Sequence, residues 1–303
     1  MLIPRIITAI VLIALLATVM SLSNPLYFAL FISIASAITL YEWLRISLNN
    51  QSKKTIAGAI SFIVFVLFIL MYFVLLQNGD ENLLSSLTDI KSFQANPWPT
   101  VTFSVLMMLP FFVSFAWLFI IPMVLYQAKT QVVNNSIFHS VFAVFAVITT
   151  WASILLSYLF FGAWFLFSFL IIIWCTDIFA YFGGRFFGGS KLAPAISPGK
   201  TRSGAICGVS SAAIWMLVSA YIDNTFSSLI TQHIGLIGAV GVGLAMAVLS
   251  IFGDLYESLL KRRASVKDSS HLLPGHGGFW DRLDSVLAVS PIAMAFIFIF
   301  YVI

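Results

Sequence analysis

The sequence predicts an all-α integral membrane protein of about nine transmembrane helices, N-terminus cytoplasmic and C-terminus external. Composition is the first ground. Of 303 residues, 61% are hydrophobic and 9% charged, where soluble domains carry about 25% charged residues. Such a surface needs lipid as its solvent. Patterning is the second ground, because apolar runs recur near the roughly 20 residues that cross a hydrocarbon core at 1.5 Å each. The third is the placement of the basic residues.

The apolar runs lie near 6–22, 25–43, 56–76, 101–126, 137–159, 161–182, 204–222, 234–256 and 285–303. The first follows Met1-Leu2-Ile3-Pro4-Arg5 and continues to Leu22. It reads as an uncleaved span, since a secretory leader has a shorter core and a small-residue cleavage site. The stretch 137–182 is almost continuous and is expected to turn near Phe161-Gly162. Aromatics reach 16%, with 30 Phe, which suits lipid-facing helices and interfacial belts. The absence of a dense basic surface argues against a nucleic-acid partner. Cys175 and Cys207 fall in apolar stretches and read as small buried residues without a disulfide. His271 and His276 have no Cys or third His beside them, so no zinc spacing occurs.

With the N-terminus inside, the internal segments hold Arg5, Arg45, Lys53, Lys54, Lys129, Arg185, Lys191, Lys200, Arg202, Lys261, Arg262, Arg263, Lys267 and Arg282. Only Lys91 is left outside, in a loop at 77–100 with Asp80, Glu81 and Asp89. A one-sided distribution of this kind is what the positive-inside rule predicts.

Ionisable residues at membrane depth cost about 2.5–3.5 kcal/mol each even on lenient scales. Asp177 lies near the cytoplasmic end of one span; Asp254 and Glu257 lie near that of another. Asp254, Glu257, Ser258 and Lys261 sit at i, i+3, i+4 and i+7 and share one helical face. Pro274-Gly275-His276-Gly277-Gly278 then breaks the chain, and a helix starting near Trp280 sets Asp281 and Asp284 one turn apart. Two carboxylates at that spacing, facing a third from a neighbouring span, make an oxygen-rich site for Mg²⁺. Lys261, Arg262, Lys267 and Arg282 supply cations suited to phosphates. Glycines at 275, 277 and 278 would let backbone N–H groups approach an anion. Lys261-Arg262-Arg263 alone would read as an interfacial anchor, but that leaves the carboxylates and glycines unexplained.

A second cytoplasmic loop runs from Ser190 to Thr201 and contains Ser197-Pro198-Gly199-Lys200-Thr201. It is not a Walker A loop, because Pro194 stands where the first glycine belongs. A Ser, Lys and Thr on a Pro-stiffened loop still suit a triphosphate.

These residues resemble the phosphatidate cytidylyltransferase family. The resemblance is carried by Ser258-Leu259-Leu260-Lys261-Arg262, Lys267-Asp268, Ser270, Leu273-Pro274, His276-Gly277-Gly278-Phe279 and Asp281-Arg282-Leu283-Asp284. It extends to Asp177-Ile178-Phe179-Ala180-Tyr181, Gly184-Arg185 and the Ser197–Thr201 loop, with weaker signals at Arg5-Ile6-Ile7-Thr8 and Tyr41-Glu42-Trp43. The family often has Trp then Glu or Gln after the Thr, where this chain has Arg202-Ser203.

The resemblance implies a membrane enzyme transferring the cytidylyl group of CTP to phosphatidic acid, with products CDP-diacylglycerol and pyrophosphate. It implies Asp254, Asp281 and Asp284 as Mg²⁺ ligands, with room for a second cation. Lys261, Arg262, Lys267 and Asp268 join these three carboxylates as expected catalytic residues. Ser197, Lys200, Thr201, Ser258, His276, Gly277, Gly278 and Arg282 are expected to bind substrate. Four N-terminal spans in 1–135 would precede a catalytic membrane region, 136–303, with cytoplasmic loops 183–203 and 257–284. The setting would be a bacterial inner membrane, site facing the cytoplasm, and a homodimer is left open. Two other readings compete. A polyprenol or dolichol kinase would share the metal and nucleotide logic, but the 258–284 match disfavours it. An ion-coupled transporter would place its charges at broken helices near the midplane, whereas here they gather at cytoplasmic ends.

Overall fold

The computed structural model describes residues 11, 14–22, 24–48, 54–77, 94, 96–130, 136–275 and 277–302. The chain order is α1 (Pro25–Leu48), α2 (Lys54–Leu75), α3 (Pro97–Phe115), a π-turn (Ala116–Ile120), α4 (Ile121–Gln127), α5 (Ser136–Phe187), β1 (Lys191–Ala193), β2 (Ser197–Thr201), α6 (Arg202–Ser219), α7 (Phe226–Arg263), α8 (Trp280–Ile297) and a closing π-turn (Phe298–Val302). Among the described residues, seven helices are long and apolar enough to cross a membrane. The protein is a multi-pass membrane protein.

Physical reasons set the main breaks. As one rod, the 52 residues of α5 would run roughly 78 Å at 1.5 Å per residue, far beyond a bilayer core of about 30 Å. The helix is instead two, meeting at Gly162 with φ 82°, a backbone region that glycine enters without steric cost. The turn expected near Phe161-Gly162 is therefore present. α7 starts earlier than expected, at a capping box between Thr225 and Ser228, and kinks at Gly235. It also runs past 256 to Arg263, because its polar last turns find partners described below. Of the expected first span, residues 11 and 14–21 are helical and 22 lies in a bend; 6–10, 12 and 13 lie outside the described residues, as does most of the 77–100 loop. The expected cytoplasmic loop 183–203 holds the small antiparallel hairpin β1–β2.

One continuous core joins helices from both ends of the chain. Buried Trp43 of α1 stacks on Trp280 of α8 at 4.8 Å and 8° and meets Tyr256 of α7 edge-on at 5.7 Å. Phe68 of α2 stacks on Trp151 of α5 at 4.5 Å, and Trp151 Nε1 donates to Ser33 Oγ of α1 at 2.9 Å. Large apolar side chains such as Phe62, Phe112 and Ile237 point outward, as a lipid solvent permits. α5 and α6 touch through small residues, the usual device between membrane helices. A Cβ at Gly208 would stand 2.5 Å from the Thr176 carbonyl oxygen, and one at Gly204 would stand 2.6 Å from that of Ala180. Cys175 and Cys207 are free thiols, each half-buried.

Candidate active site

Three polar pieces converge: the last turns of α7, the first turns of α8 with the loop leading to it, and the hairpin. Asp254 and Glu257 lie one turn apart on α7. Gly253 beside them lets α8 come close: a Cβ there would be 2.5 Å from the Asp284 carbonyl oxygen. Asp254, Glu257 and Asp284 consequently offer carboxylate oxygens all within 4.8 Å of one another. The Glu257 side chain is 3% exposed, and its Oε1 is buried without a hydrogen-bond partner. Leaving such an atom unpaired is costly. A hard cation satisfies it, so the donor set fits Mg²⁺.

Asp281, expected in this group, stands outside it. Its Oδ2 accepts from the backbone N–H groups of Ser269 and Gly278, each at 2.8 Å, and lies 2.8 Å from Ser269 Oγ. Its Oδ1 takes Lys261 Nζ at 2.6 Å. Lys261 also reaches Glu257 Oε2 at 2.9 Å. An ammonium so placed is a bridge between two carboxylates rather than a free phosphate ligand. Among the described residues, the carboxylates that gather closely enough to share a metal ion are those of Asp254, Glu257 and Asp284.

The other expected residues divide by what already holds them. Lys200 forms an ion pair with Asp254, and Ser258 Oγ lies 3.4 Å from the other Asp254 oxygen. Thr201 caps α6, its Oγ1 accepting from Gly204 N at 3.1 Å. Ser197 opens β2, half-buried. The hairpin is seated by Ile196, which packs with Leu255 and Leu259, and by Arg262 Nε on the Ile196 carbonyl at 3.3 Å. Arg263 donates to His139 Nε2 at 2.9 Å and to the Lys129 carbonyl at 2.8 Å, so it belongs to the helix packing. The N–H of Gly277 bonds the Leu273 carbonyl at 3.1 Å and that of Gly278 bonds Asp281. Both amides thus serve the chain itself instead of an anion. Gly277 has φ 86°, and a Cβ there would meet Asp281 Oδ2 at 2.6 Å, so glycine is required. His276 lies outside the described residues. Asp177 approaches from α5, its Oδ1 3.5 Å from Ser250 Oγ of α7.

An open cavity of about 500 Å³ lies beside these groups, lined by Lys267, Asp268, His271, Leu273, Pro274, Gly275, Gly277 and Arg282. That volume falls in the range of small-molecule sites, and two cations face into it. Among the described residues, no Ser or Cys is hydrogen-bonded to a histidine base.

Glu42 enters the sequence reading only within the weak Tyr41-Glu42-Trp43 signal, with no role assigned to it. This carboxylate of α1 is fully buried and is hydrogen-bonded to the loop before α8. A lone acid inside Leu40-Tyr41-Glu42-Trp43 was the available signal.

The chain is 40% identical over 137 residues to a phosphatidate cytidylyltransferase of Haemophilus influenzae, covering 45% of this chain and 46% of that protein. It is 39% identical over 135 residues to the one from Rickettsia felis, covering 43% and 56%. With that of Brucella abortus it shares 44% over 125 residues, covering 41% and 43%. The match therefore spans about half the length of the curated relatives. The cytidylyltransferase family model reaches much further, over residues 3–300, and nearly every helix and polar contact described above falls inside it: the chain belongs to the cytidylyltransferase family.

Proposed function

We propose that this protein transfers the cytidylyl group of CTP to phosphatidic acid, giving CDP-diacylglycerol and pyrophosphate. The observation that carries the reading is the Asp254–Glu257–Asp284 group, with its buried unpaired Glu257 oxygen, beside a cavity faced by Lys267 and Arg282. The names of the relatives supply the lipid and the nucleotide.

Asp254, Glu257 and Asp284 would hold Mg²⁺, and the family pattern leaves room for a second cation. Bound there, the metal offsets phosphate charge and orients the phosphates. Phosphatidate brings its own nucleophile, a phosphate oxygen already ionised at neutral pH, so no protein base has to remove a proton. That oxygen forms a bond to the CTP α-phosphorus while the bond to the β-phosphate bridging oxygen breaks. Pyrophosphate leaves with the electron pair. The chain's task is alignment of two anions and relief of their repulsion. Lys267 and Arg282 serve the phosphates in the cavity. Lys200, on the hairpin and held by its ion pair with Asp254, would serve the same phosphates. Lys261 holds Glu257 in register with Asp281.

The membrane frame belongs to the same proposal: nine crossings, the N-terminus and the site on the cytoplasmic side, Ile303 outside. Lipid substrate and product then stay in the bilayer, while CTP and pyrophosphate exchange with the cytoplasm. The test uses purified protein, phosphatidate and Mg²⁺ with CTP labelled on either the α- or the γ-phosphorus. Label in lipid from α-CTP alone supports cytidylyl transfer. Label from γ-CTP alone would mean a lipid kinase, and the proposal would be wrong.

A further inference from the structure

The loop 264–279 hangs between α7 and α8, and a distant helix grips it at both ends. Glu42 Oε2 accepts from Ser269 Oγ at 2.9 Å and from the Trp280 N–H at 2.8 Å. Glu42 Oε1 accepts from Ser270 Oγ at 2.5 Å. Arg45, one turn along α1, donates to the Ser269 carbonyl. Trp43 lies flat on Trp280. Gly278 closes against the carboxylate so tightly that a Cβ would collide with Ser269 Oγ and Glu42 Oε2.

One turn of α1 thus fixes Ser269-Ser270 and Gly278–Trp280 together. Between those points lie His271, Pro274 and Gly275, which line the cavity. The fixed ends also donate to Asp281, which carries Lys261 and through it Glu257. A buried carboxylate is unfavourable unless hydrogen-bonded. Among the described residues no cation forms an ion pair with Glu42, so three neutral donors hold it. Filling space in the core would call for an apolar residue; an acceptor with two oxygens aimed at a loop serves that loop.

We propose that Glu42 is a positioning residue for cytidylyl transfer: it sets the shape of the 269–280 loop, and so the placement of the nucleotide phosphates against Lys267, Arg282 and the acidic group. The inference rests on the reading above for its kinetics, but its geometric half can be tested without turnover.

The experiment compares wild type, Glu42→Ala, Glu42→Gln and Ser270→Ala, as full chains in phosphatidate-containing nanodiscs. Hydrogen exchange is measured over 269–280 and over α2, with initial rates against CTP and against phosphatidate. Glu42→Ala should exchange the loop at least about tenfold faster with α2 unchanged. Its kcat/KM for CTP should fall about 100-fold or more, with a smaller change for phosphatidate. Glu42→Gln keeps an oxygen for Trp280 and Ser269 and turns its amide to the Ser270 hydroxyl, so it should return to within about tenfold of wild type. Ser270→Ala, which removes one donor, should show the same pattern weakly, and it decides the matter if Glu42→Ala does not fold. Wild-type loop exchange in Glu42→Ala and Ser270→Ala would overturn the proposal. So would equal damage from Gln and Ala, or faster exchange spread evenly over the chain. If wild type itself makes no labelled lipid, the reaction reading fails, while the exchange data still decide the clamp.

Discussion

Gly253 and Asp284 meet backbone to backbone, so that a Cβ on Gly253 would stand 2.5 Å from the Asp284 carbonyl oxygen and 3.0 Å from the Ala288 Cβ. This contact brings the two halves of the acidic group within reach. Gly253→Ala should push α7 and α8 apart, at an overpacking cost of about 1–3 kcal/mol. The Mg²⁺ needed for half-maximal transfer should rise by roughly tenfold. Gly241→Ala on the same helix meets nothing within 4 Å and should be neutral or stabilise by up to about 1 kcal/mol. Melting curves and Mg²⁺ titrations of the two variants check this; identical behaviour would show that the close contact is unimportant.

Asp281 and Asp284 sit one turn apart, yet their substitutions should fail in different ways. The Asp281 side chain is 4% exposed and bound to Lys261, with two backbone amides on its other oxygen. Asp281→Asn places an amide nitrogen against donors and should cost about 3 kcal/mol of stability. Asp284→Asn and Glu257→Gln should keep a melting temperature near wild type while Mg²⁺ affinity falls roughly 10- to 100-fold. The double variant Asp284→Asn with Glu257→Gln should cost scarcely more activity than either alone, since ligands of one ion act as a unit. An Asp284→Asn variant with a clearly lowered melting temperature and normal Mg²⁺ dependence would reverse these roles.

Much of this arrangement is legible in the chain itself, for local reasons. Hydropathy places α1, α2, α5 and α6 because apolar length is a property of consecutive residues, and Gly162 marks the one place where 137–182 must bend. Asp254 and Asp284 were visible as charges at span ends. The sequence reading takes Asp281 rather than Glu257 as the third carboxylate, because Asp281 and Asp284 are one turn apart; Glu257 lies on an equally plausible face. What divides them is which carboxylate the returning loop saturates, and the Gly278 amide bond that does so depends on tertiary structure. Thr201 looks like a phosphate ligand in Gly199-Lys200-Thr201 but caps α6, a role fixed only once β2 leads straight into that helix. Glu42 and Ser269 are 227 residues apart, and no spacing rule connects them.

Lys200 and Arg202 are two positions apart and differ in what they touch. Lys200 is paired with Asp254, and Arg202 is exposed where it begins α6. Arg202→Ala should keep activity within about tenfold, or 1.4 kcal/mol in transition-state terms. Lys200→Ala should lose at least about 100-fold, mostly through CTP. Because it also removes a cation that competes for Asp254, its Mg²⁺ requirement should not increase. Steady-state rates against CTP and Mg²⁺ settle both points; equal losses from the two variants would assign Arg202 a direct part in the reaction.

Orientation can be tested on one helix, without relying on the number of crossings. α7 runs from Phe226 to Arg263, with Asp223 before it and Ser265 after it, both exposed. Its part beyond the Gly235 kink covers 28 residues, roughly 42 Å at 1.5 Å per residue, enough to cross a core of about 30 Å. The two markers are therefore expected on opposite sides. Lys261, Arg262, Arg263 and Lys267 cluster around the Ser265 end, which the positive-inside rule places in the cytoplasm. The cavity lined by Lys267 and Arg282 lies at that same end, and a site for CTP there requires the cytoplasmic side. In a chain with Cys175 and Cys207 replaced by Ala, Asp223→Cys should react with an impermeant thiol reagent added to intact cells. Ser265→Cys should react only after permeabilisation. Labelling of Ser265→Cys in sealed cells would invert the topology, and it would put the cavity on the side where no CTP is made, undoing the cytoplasmic site along with it.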